Sequence, residues 1–473
     1  MSEARESSIQ REVYFGILPV LRGERQFGLW DFLLVQIGFG IAAWSFLVGG
    51  YTGFVLPTGS AIAAILFGNA IPVFLISVLA ILYNRYGVDT FIGARAILGP
   101  RGSNLFLLIF AILNLGWITI ACFMLGESAI RVIAALNGPE FLASRTVGAP
   151  IFAITAFVVA LLIAWQGPIA IRLFTRVGVP AMMLIITGLI IYIFVINGFS
   201  PVWNAQPAEP YDTPLRGLAS AIEWNVGLGF SWLPYIGQWA RLARDERTAL
   251  VGTYLGWGVL LNIAAILGAL TALLVGTYEP TEWMIQAGGP LFGLFGLLLL
   301  ILANLTSATV LIYSQSLSLK TLFPRWKWTW ALFTTVPAAL LMLTPTVYDS
   351  YTSFLSYVSF VMAAFGGVMV ADYVFIQRFH ISLRDLYEKH AGRYQYLAGF
   401  NWEAFVAVLL GAVFYFWTYD PATDRAGPLF TYITAGIPTF FLSGGVYLAL
   451  TFVTRRLASP VQRVPKGVAV KQS

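Results

Sequence analysis

Histidine and cysteine are almost missing: two and one among 473 residues. Cys122 has no second thiol, which excludes an intramolecular disulfide. His380 and His390 share one polar loop with no cysteine or third histidine beside them, an arrangement that argues against structural zinc. Charge is scarce as well. Asp, Glu, Lys and Arg make up 11% of the chain, against 58% hydrophobic residues and a mean hydropathy of +0.78. That balance excludes a water-soluble fold of this length and describes a polytopic membrane protein embedded in lipid. The net charge of +6 is explained by loops on one membrane side, so no nucleic-acid partner is expected. No Gly-x-x-x-x-Gly-Lys or Gly-x-Ser-x-Gly string occurs. Nucleotide hydrolysis is therefore not encoded, and any uphill work must draw on a gradient. There is no His cluster, paired intramembrane carboxylate or activated nucleophile, so no enzyme is expected. The first 27 residues are mixed and charged, and no signal peptide is expected from them.

What is present is a series of long apolar runs. Twelve segments are read: 29–54, 58–83, 103–131, 150–165, 175–197, 217–237, 252–276, 290–319, 328–344, 351–376, 402–418 and 428–453. Most can cross about 30 Å of hydrocarbon; segments 4, 9 and 11 are short for it. With the N-terminus in the cytoplasm, the tails and the loops after even-numbered segments hold 24 of the 28 Lys and Arg residues. The opposite loops hold Arg131, Arg145, Arg216 and Arg425. This asymmetry places both termini inside, in what is read as a cytoplasmic (inner) membrane.

Two segments carry matching interruptions. Gln36-Ile37-Gly38-Phe39-Gly40-Ile41 in segment 1 and Asn225-Val226-Gly227-Leu228-Gly229-Phe230 in segment 6 share one amide-apolar-Gly-apolar-Gly-apolar pattern. Asn114-Leu115 in segment 3 and Asn304-Leu305 in segment 8 echo at nearly the same offset. Segments 1–5 and 6–10 then form two halves, the second inverted because five is odd. Paired Gly interruptions in corresponding halves point to a solute site at broken helices. The freed backbone groups persist in lipid only where protein, water or solute satisfies them. Gly40 and Gly227 are the expected hinges, with Gly38 and Gly229 adding latitude; Gly-x-Gly pairs also serve packing.

Polar and aromatic residues inside segments mark the candidate path. Ala303, Thr306 and Ser307 share one face of segment 8, where two hydroxyls offer hard oxygen ligands to a small cation. They can equally bond back to the preceding turn. Asn114, Trp117 and Ala121 follow a helical face of segment 3: an indole to stack a flat ring and an amide to read its edge, or a packing Trp with a structural Asn. Phe39, Gly229, Phe230, Ser231 and Trp232 flank the interruptions, and Pro234 can itself cause a kink. Glu223 is expected to serve ion entry or proton coupling, or else to pair with an outer basic residue such as Arg216. Glu127 is expected to pair with Arg131 at i,i+4. Trp165 with Gln166, and Asp372 with Tyr373, read as interfacial anchors.

Four stretches, taken in order and spacing, carry a resemblance. They are Gly28-Leu29-Trp30-Asp31; Tyr86-Gly87-Val88-Asp89-Thr90-Phe91 through Arg95 to Gly99-Pro100-Arg101-Gly102-Ser103; Ser231-Trp232-Leu233-Pro234 through Arg241; and Tyr313-Ser314-Gln315-Ser316-Leu317. From about Gly28 to Arg456 the chain resembles the nucleobase–cation symporter-1 family of cytosine, purine, allantoin and hydantoin transporters. The resemblance implies an all-α, leucine-transporter-type fold: a cytoplasmic tail at 1–28, a first repeat at 29–200, a second at 201–400, two more helices at 401–455 and a tail at 456–473. It implies a planar heterocycle held between Trp117 and Trp232, and a cation between carbonyls near Gly38 and Ile41 and the Ala303, Thr306 and Ser307 face. The coupling ion is expected to be Na⁺ ahead of H⁺, with no other cofactor and no obligate protein partner expected. Ala121, Ile312 and Gln238 depart from the family pattern, which weakens hydantoin and simple nucleobase specificity. The expected function is symport of a small planar nitrogen heterocycle with a cation. The alternatives are an amino-acid or amine symporter of the same fold, or a channel.

Overall fold

The structure, a computed structural model, describes residues 18–25, 27–166, 169–388 and 392–457. His390 and most of both tails lie outside the described residues. Segment after segment is helical because lipid leaves the backbone no other donor or acceptor. Among the described residues, seven helices are long and apolar enough to cross a membrane: Thr58–Tyr86, Pro100–Ala135, Gly148–Gln166, Glu246–Val275, Gly293–Lys320, Tyr351–Ile376 and Gly436–Arg455. Segment 1 is a bent pair, Leu29–Gly40 and Trp44–Val55, meeting at 60°. Segment 9 is two short helices, Trp328–Phe333 and Pro337–Leu341, and segment 11 is the helix Trp402–Thr418.

The packing has an internal order. The second half of segment 1 lies along segment 7, and segment 6 lies along segment 2; segment 3 lies along segment 8. Segment 3 also packs on segment 4, and segment 8 on segment 9. Exchanging each segment with the one five places later turns the first pair into the second, the fourth into the fifth, and leaves the third unchanged. Asn69 of segment 2 donates to Asn262 of segment 7 at 2.8 Å, so the two corresponding segments meet directly.

Segment 6 departs from the sequence reading. Gly227 and Gly229 stay inside the helix Pro214–Phe230, and the interruption falls one turn later, at Ser231 and Trp232, before a short 3₁₀ turn Leu233–Tyr235. These glycines are packing positions. A Cβ at Gly227 would stand 2.4 Å from the Leu355 carbonyl oxygen, and one at Gly229 would stand 2.8 Å from that of Asn69. Gly227 is thus no hinge here.

Glu223 also differs from expectation. Both its oxygens are taken: Ser359 Oγ and Tyr415 Oη donate to Oε1 at 2.7 and 2.9 Å, and the Ala435 and Gly436 N–H groups donate to Oε2 at 2.9 Å. Arg216 instead pairs with Asp424 at 2.8 Å. Asp372 is fully buried and accepts from Tyr447 of segment 12, so it is not an interfacial anchor.

The seam between segments 1 and 7 is backbone against backbone. A Cβ at Gly49 would lie 1.9 Å from the Ala265 carbonyl oxygen, and one at Gly53 2.3 Å from that of Ala269. Gly49→Ala should therefore force the helices apart and cost about 1–3 kcal/mol, the usual range for overpacking. Gly445→Ala, with nothing within 4 Å, is the control. Apparent Tm in detergent is the measurement; an unchanged Tm for Gly49→Ala would mean the seam is looser than described.

Candidate functional site

The interruption of segment 1 sets the site. Helix Leu29–Gly40 ends with Ile41 and Ala42 in extended conformation, and the next helix starts at Ala43. The Gly40 carbonyl has lost its helical partner and accepts instead from Trp44 Nε1 and Ser45 Oγ, both at 2.8 Å. The Phe39 ring, in the last turn, meets four indoles and a phenol, one of the indoles being Trp239 at 6.3 Å and 50°. Its centroid lies 5.3 Å from Trp232, 5.1 Å from Tyr235, 6.2 Å from Trp257 and 6.3 Å from Trp44, at steep angles. Trp232 stacks on Trp257 of segment 7 at 4.6 Å and 15°. Trp117 meets Trp44 edge-on at 5.6 Å and Phe354 at 5.0 Å. Edge-to-face and offset-stacked pairs are the favoured arrangements of ring quadrupoles. Phe39, Trp44, Trp117, Leu228, Ser231, Trp232, Tyr235 and Leu311 enclose a void of about 10 Å³, room for one water at most.

The polar groups here are partly committed. Asn114 Nδ2 donates to Gln315 Oε1 at 2.9 Å and to the Leu311 carbonyl at 3.2 Å, while Tyr235 Oη donates to Asn114 Oδ1 at 2.5 Å. Ser231 Oγ donates to the Leu228 carbonyl. Trp232 Nε1 is buried with no hydrogen-bond partner. A buried donor left unmade costs free energy, so this N–H is a natural contact for an acceptor on a ligand ring. Ala121, expected as a substrate contact, is buried one turn beyond Trp117 and is not among the residues that enclose this void. Phe230 turns away from the cluster and stacks on Phe440 of segment 12 at 5.4 Å and 16°; with Gly229 on the segment 2 seam, neither joins the ring site.

On segment 8, Ala303 is buried in one cluster with Ile41, Ile37 and Phe46. Thr306 Oγ1 donates to the Leu302 carbonyl at 2.9 Å, the back-bond of an ordinary helical threonine, and its oxygen keeps lone-pair capacity. Ser307 Oγ is buried without a partner. An orphaned hydroxyl one turn from Ala303 fits a small cation bound by oxygen. Gly38 is half-buried in the last turns before the interruption, and Ile41 is its first non-helical residue. The residue reading missed Trp44, Tyr235, Trp257 and Gln315 as members of the cluster. Gln315 sits in the Tyr313–Leu317 string and Tyr235 directly follows Pro234, but neither position announces a partner in another segment.

A family model described as a permease for cytosine/purines, uracil, thiamine and allantoin matches residues 19–439. The chain belongs to this permease family. The permease is 24% identical over 428 residues to the hydantoin permease of Microbacterium maritypicum, covering 85% of this chain and 84% of that one. It is 23% identical over 355 residues to the allantoin permease of Bacillus subtilis (strain 168), covering 70% and 71%. Its fold matches that of Mhp1, a nucleobase-cation-symport-1 family transporter in a closed conformation with bromovinylhydantoin bound. The TM-score is 0.75 at 19% identity, with 93% of this chain and 95% of that one covered. The relatives are permeases, not enzymes, and the chain is an all-α, multi-pass integral membrane transporter.

At the end of the permease away from its N-terminal segment, charged residues lock the loops. Glu127 pairs with Arg145 at 2.5 Å, and Arg145 reaches Asp349 as well; Arg131 pairs with Glu282 at 2.6 Å. The expected Glu127–Arg131 pair therefore gives way to partners brought in by other loops. Tyr51 stacks on Tyr278 at 4.2 Å. Next to Tyr278, Glu279 is buried, accepting from Tyr348 Oη at 2.9 and 3.1 Å and from Thr281 Oγ1 at 3.2 Å. Burial first, and then the negative charge of Glu127, push its carboxyl up to about 7 from the ordinary 4.5. Between those two values the folded protein holds a proton that the unfolded chain has released. Stability should therefore fall as pH rises through that window and level off above it. Glu279→Gln should remove that component of the slope. Apparent Tm against pH for both proteins checks it, and identical profiles would assign the proton elsewhere.

Proposed function

We propose that this permease is a secondary active symporter that imports a small planar nitrogen heterocycle together with a cation, by alternating access. The observation that carries the reading is the convergence of Trp117 and Trp232 on the segment 1 interruption, with the orphan Trp232 N–H beside them. Two large apolar rings and unspent indole donors, Trp232 Nε1 with those of Trp239 and Trp257 in the same cluster, suit a flat ring with acceptor atoms. Names of the relatives, a hydantoin permease and an allantoin permease, support the same chemical class.

The proposal extends to twelve spans with both termini cytoplasmic, and to inverted repeats at 29–200 and 201–400. The exchange symmetry of the packed pairs supports the repeats. For the coupling ion we propose Na⁺ ahead of H⁺, held by Thr306 and Ser307 with backbone carbonyls near Gly38 and Ile41. The unpartnered Ser307 hydroxyl supports this. Glu223, the acid a proton would otherwise use, has both oxygens occupied by four donors away from the ring cluster.

The experiment that tests the reading is thermal stability of the purified permease against nucleobases, hydantoins, allantoin, pyrimidine vitamins and amino acids, with and without Na⁺. Stabilisation by a heterocycle that grows with Na⁺ is expected by mass action. Stabilisation by an amino acid in place of every heterocycle would sink the substrate class. Trp232→Ala should weaken binding of the stabilising ring roughly 5- to 150-fold, the worth of one ring–aromatic stack at about 1–3 kcal/mol. Saturable uptake of the labelled ring is the readout, and unchanged uptake removes Trp232 from the site. Thr306→Ala with Ser307→Ala should flatten the Na⁺ dependence of that uptake; retained dependence places the ion elsewhere.

A further inference from the structure

Trp44 takes no part in the site as proposed above, yet it holds its centre. Its indole is 2% exposed. It stands edge-on to Trp117 at 5.6 Å and 79°, and edge-on to Trp232 at 6.5 Å and 70°. Among the described residues Trp117 and Trp232 make no ring contact with each other; Trp44 is what touches both. The void left beside it is about 10 Å³, whereas a dry cavity that takes a single benzene ring measures about 150 Å³. The two tryptophan faces are present, and the space a ring would need is filled by an indole of the protein's own.

The tethers of Trp44 are reversible ones. Nε1 donates to the Gly40 carbonyl, a group freed by the interruption of segment 1. The Trp44 carbonyl accepts from Tyr351 Oη of segment 10 at 2.7 Å. Tyr351 also faces Trp117 edge-on at 6.3 Å. The indole is thus held by the broken helix through Nε1, and the backbone that carries it is held by the first turn of segment 10.

We infer that Trp44 is a built-in plug: a planar, nitrogen-bearing ring that occupies the slot between Trp117 and Trp232 and is displaced when the imported heterocycle binds. The inference rests on the proposed heterocycle site and adds to it a competitor inside the chain. A plug of this kind lowers apparent affinity by the fraction of molecules whose slot is open, and release of segment 10 at Tyr351 raises that fraction. It also fixes the size of ligand that enters, because a ring larger than the indole it replaces meets Phe39 and Tyr235.

Free indole is the probe. Trp44→Ala should leave an indole-shaped hole, so indole should stabilise this variant against heat and leave the wild type unmoved. Tyr351→Phe keeps the indole and its Nε1 bond and frees the Trp44 backbone carbonyl from segment 10, loosening the turn that carries the ring. It should tighten binding of the stabilising heterocycle by up to about tenfold, the factor expected if the plug occupies the slot nine-tenths of the time. Trp44→Phe should sit between wild type and Trp44→Ala in its response to indole. Folded Trp44→Ala that ignores indole overturns the plug. So does a Tyr351→Phe variant with unchanged or weaker heterocycle affinity, which also decides the matter if Trp44→Ala does not fold. Indole filling Trp44→Ala while no heterocycle binds any of the proteins would defeat the substrate reading and the plug with it, leaving Trp44 a packing side chain.

Discussion

Interrupting a helix inside a membrane leaves peptide groups without partners in a medium that supplies none, and the rest of this fold is arranged around that constraint. Each interruption is answered by a side chain. The Gly40 carbonyl is met by Trp44 and Ser45. The carbonyl of Trp257, in the widened π-helical stretch Tyr254–Leu260, takes an N–H from Asn69 at 2.7 Å. At the end of segment 6, Asn84 donates to the Ala240 and Ala243 carbonyls at 2.8 and 2.7 Å, and Thr90 Oγ1 accepts from the Gly237 N–H at 2.8 Å. Three of these partners come from segment 2 and the loop behind it. Segment 2 is therefore a splint for segments 6 and 7, and its buried amides are structural rather than part of the solute path.

The same reasoning reassigns Glu223. A buried carboxylate is tolerated where its lone pairs are filled. Here two peptide N–H groups at the start of helix Gly436–Leu457 supply half of the donors, at the end where a helix favours negative charge. Ser359 and Tyr415 supply the others. One side chain thus fastens segments 6, 10, 11 and 12 together. An acid inside a transporter invites a proton-coupling role, but this one is spent on assembly.

Much of this was readable from the residues, and the failures share a cause. Apolar runs located the helices because lipid selects them directly, and the Gly38-x-Gly40 string ends at the bend between Leu29–Gly40 and Trp44–Val55. Its twin at Gly227 and Gly229 misled because glycine answers two demands, backbone freedom and close approach, and only tertiary contact with Leu355 and Asn69 tells which applies. Trp117 and Trp232 were singled out by chemistry, since large flat rings beside an interruption are few, and both pack against Trp44. Phe230, next in sequence to Ser231, was lost to Phe440 because one residue turns a helical side chain by about 100°. Glu127 chose Arg145 over Arg131 for a similar reason. A local i,i+4 pair is worth little, and a loop delivered a cation that also reaches Asp349. Spacing exposes local geometry; choice among distant partners belongs to the fold.

The remaining question is how a cation could influence a ring it does not touch, and segment 8 gives the physical route. Ser307 and Gln315 are eight residues apart on one continuous helix, Pro280–Leu322, or about 12 Å along its axis. Gln315 holds Asn114, Asn114 holds Tyr235, and Tyr235 walls the ring site on the segment 6 side. At the other end, Ala303 belongs to the same buried cluster as Ile41 at the segment 1 interruption. On the proposed reading, an ion that draws Ser307 toward that interruption moves a rigid rod whose far end positions the amide chain under Trp232. Coupling of this kind requires no ion–solute contact. It requires that segment 8 have two positions and that both guests prefer the same one.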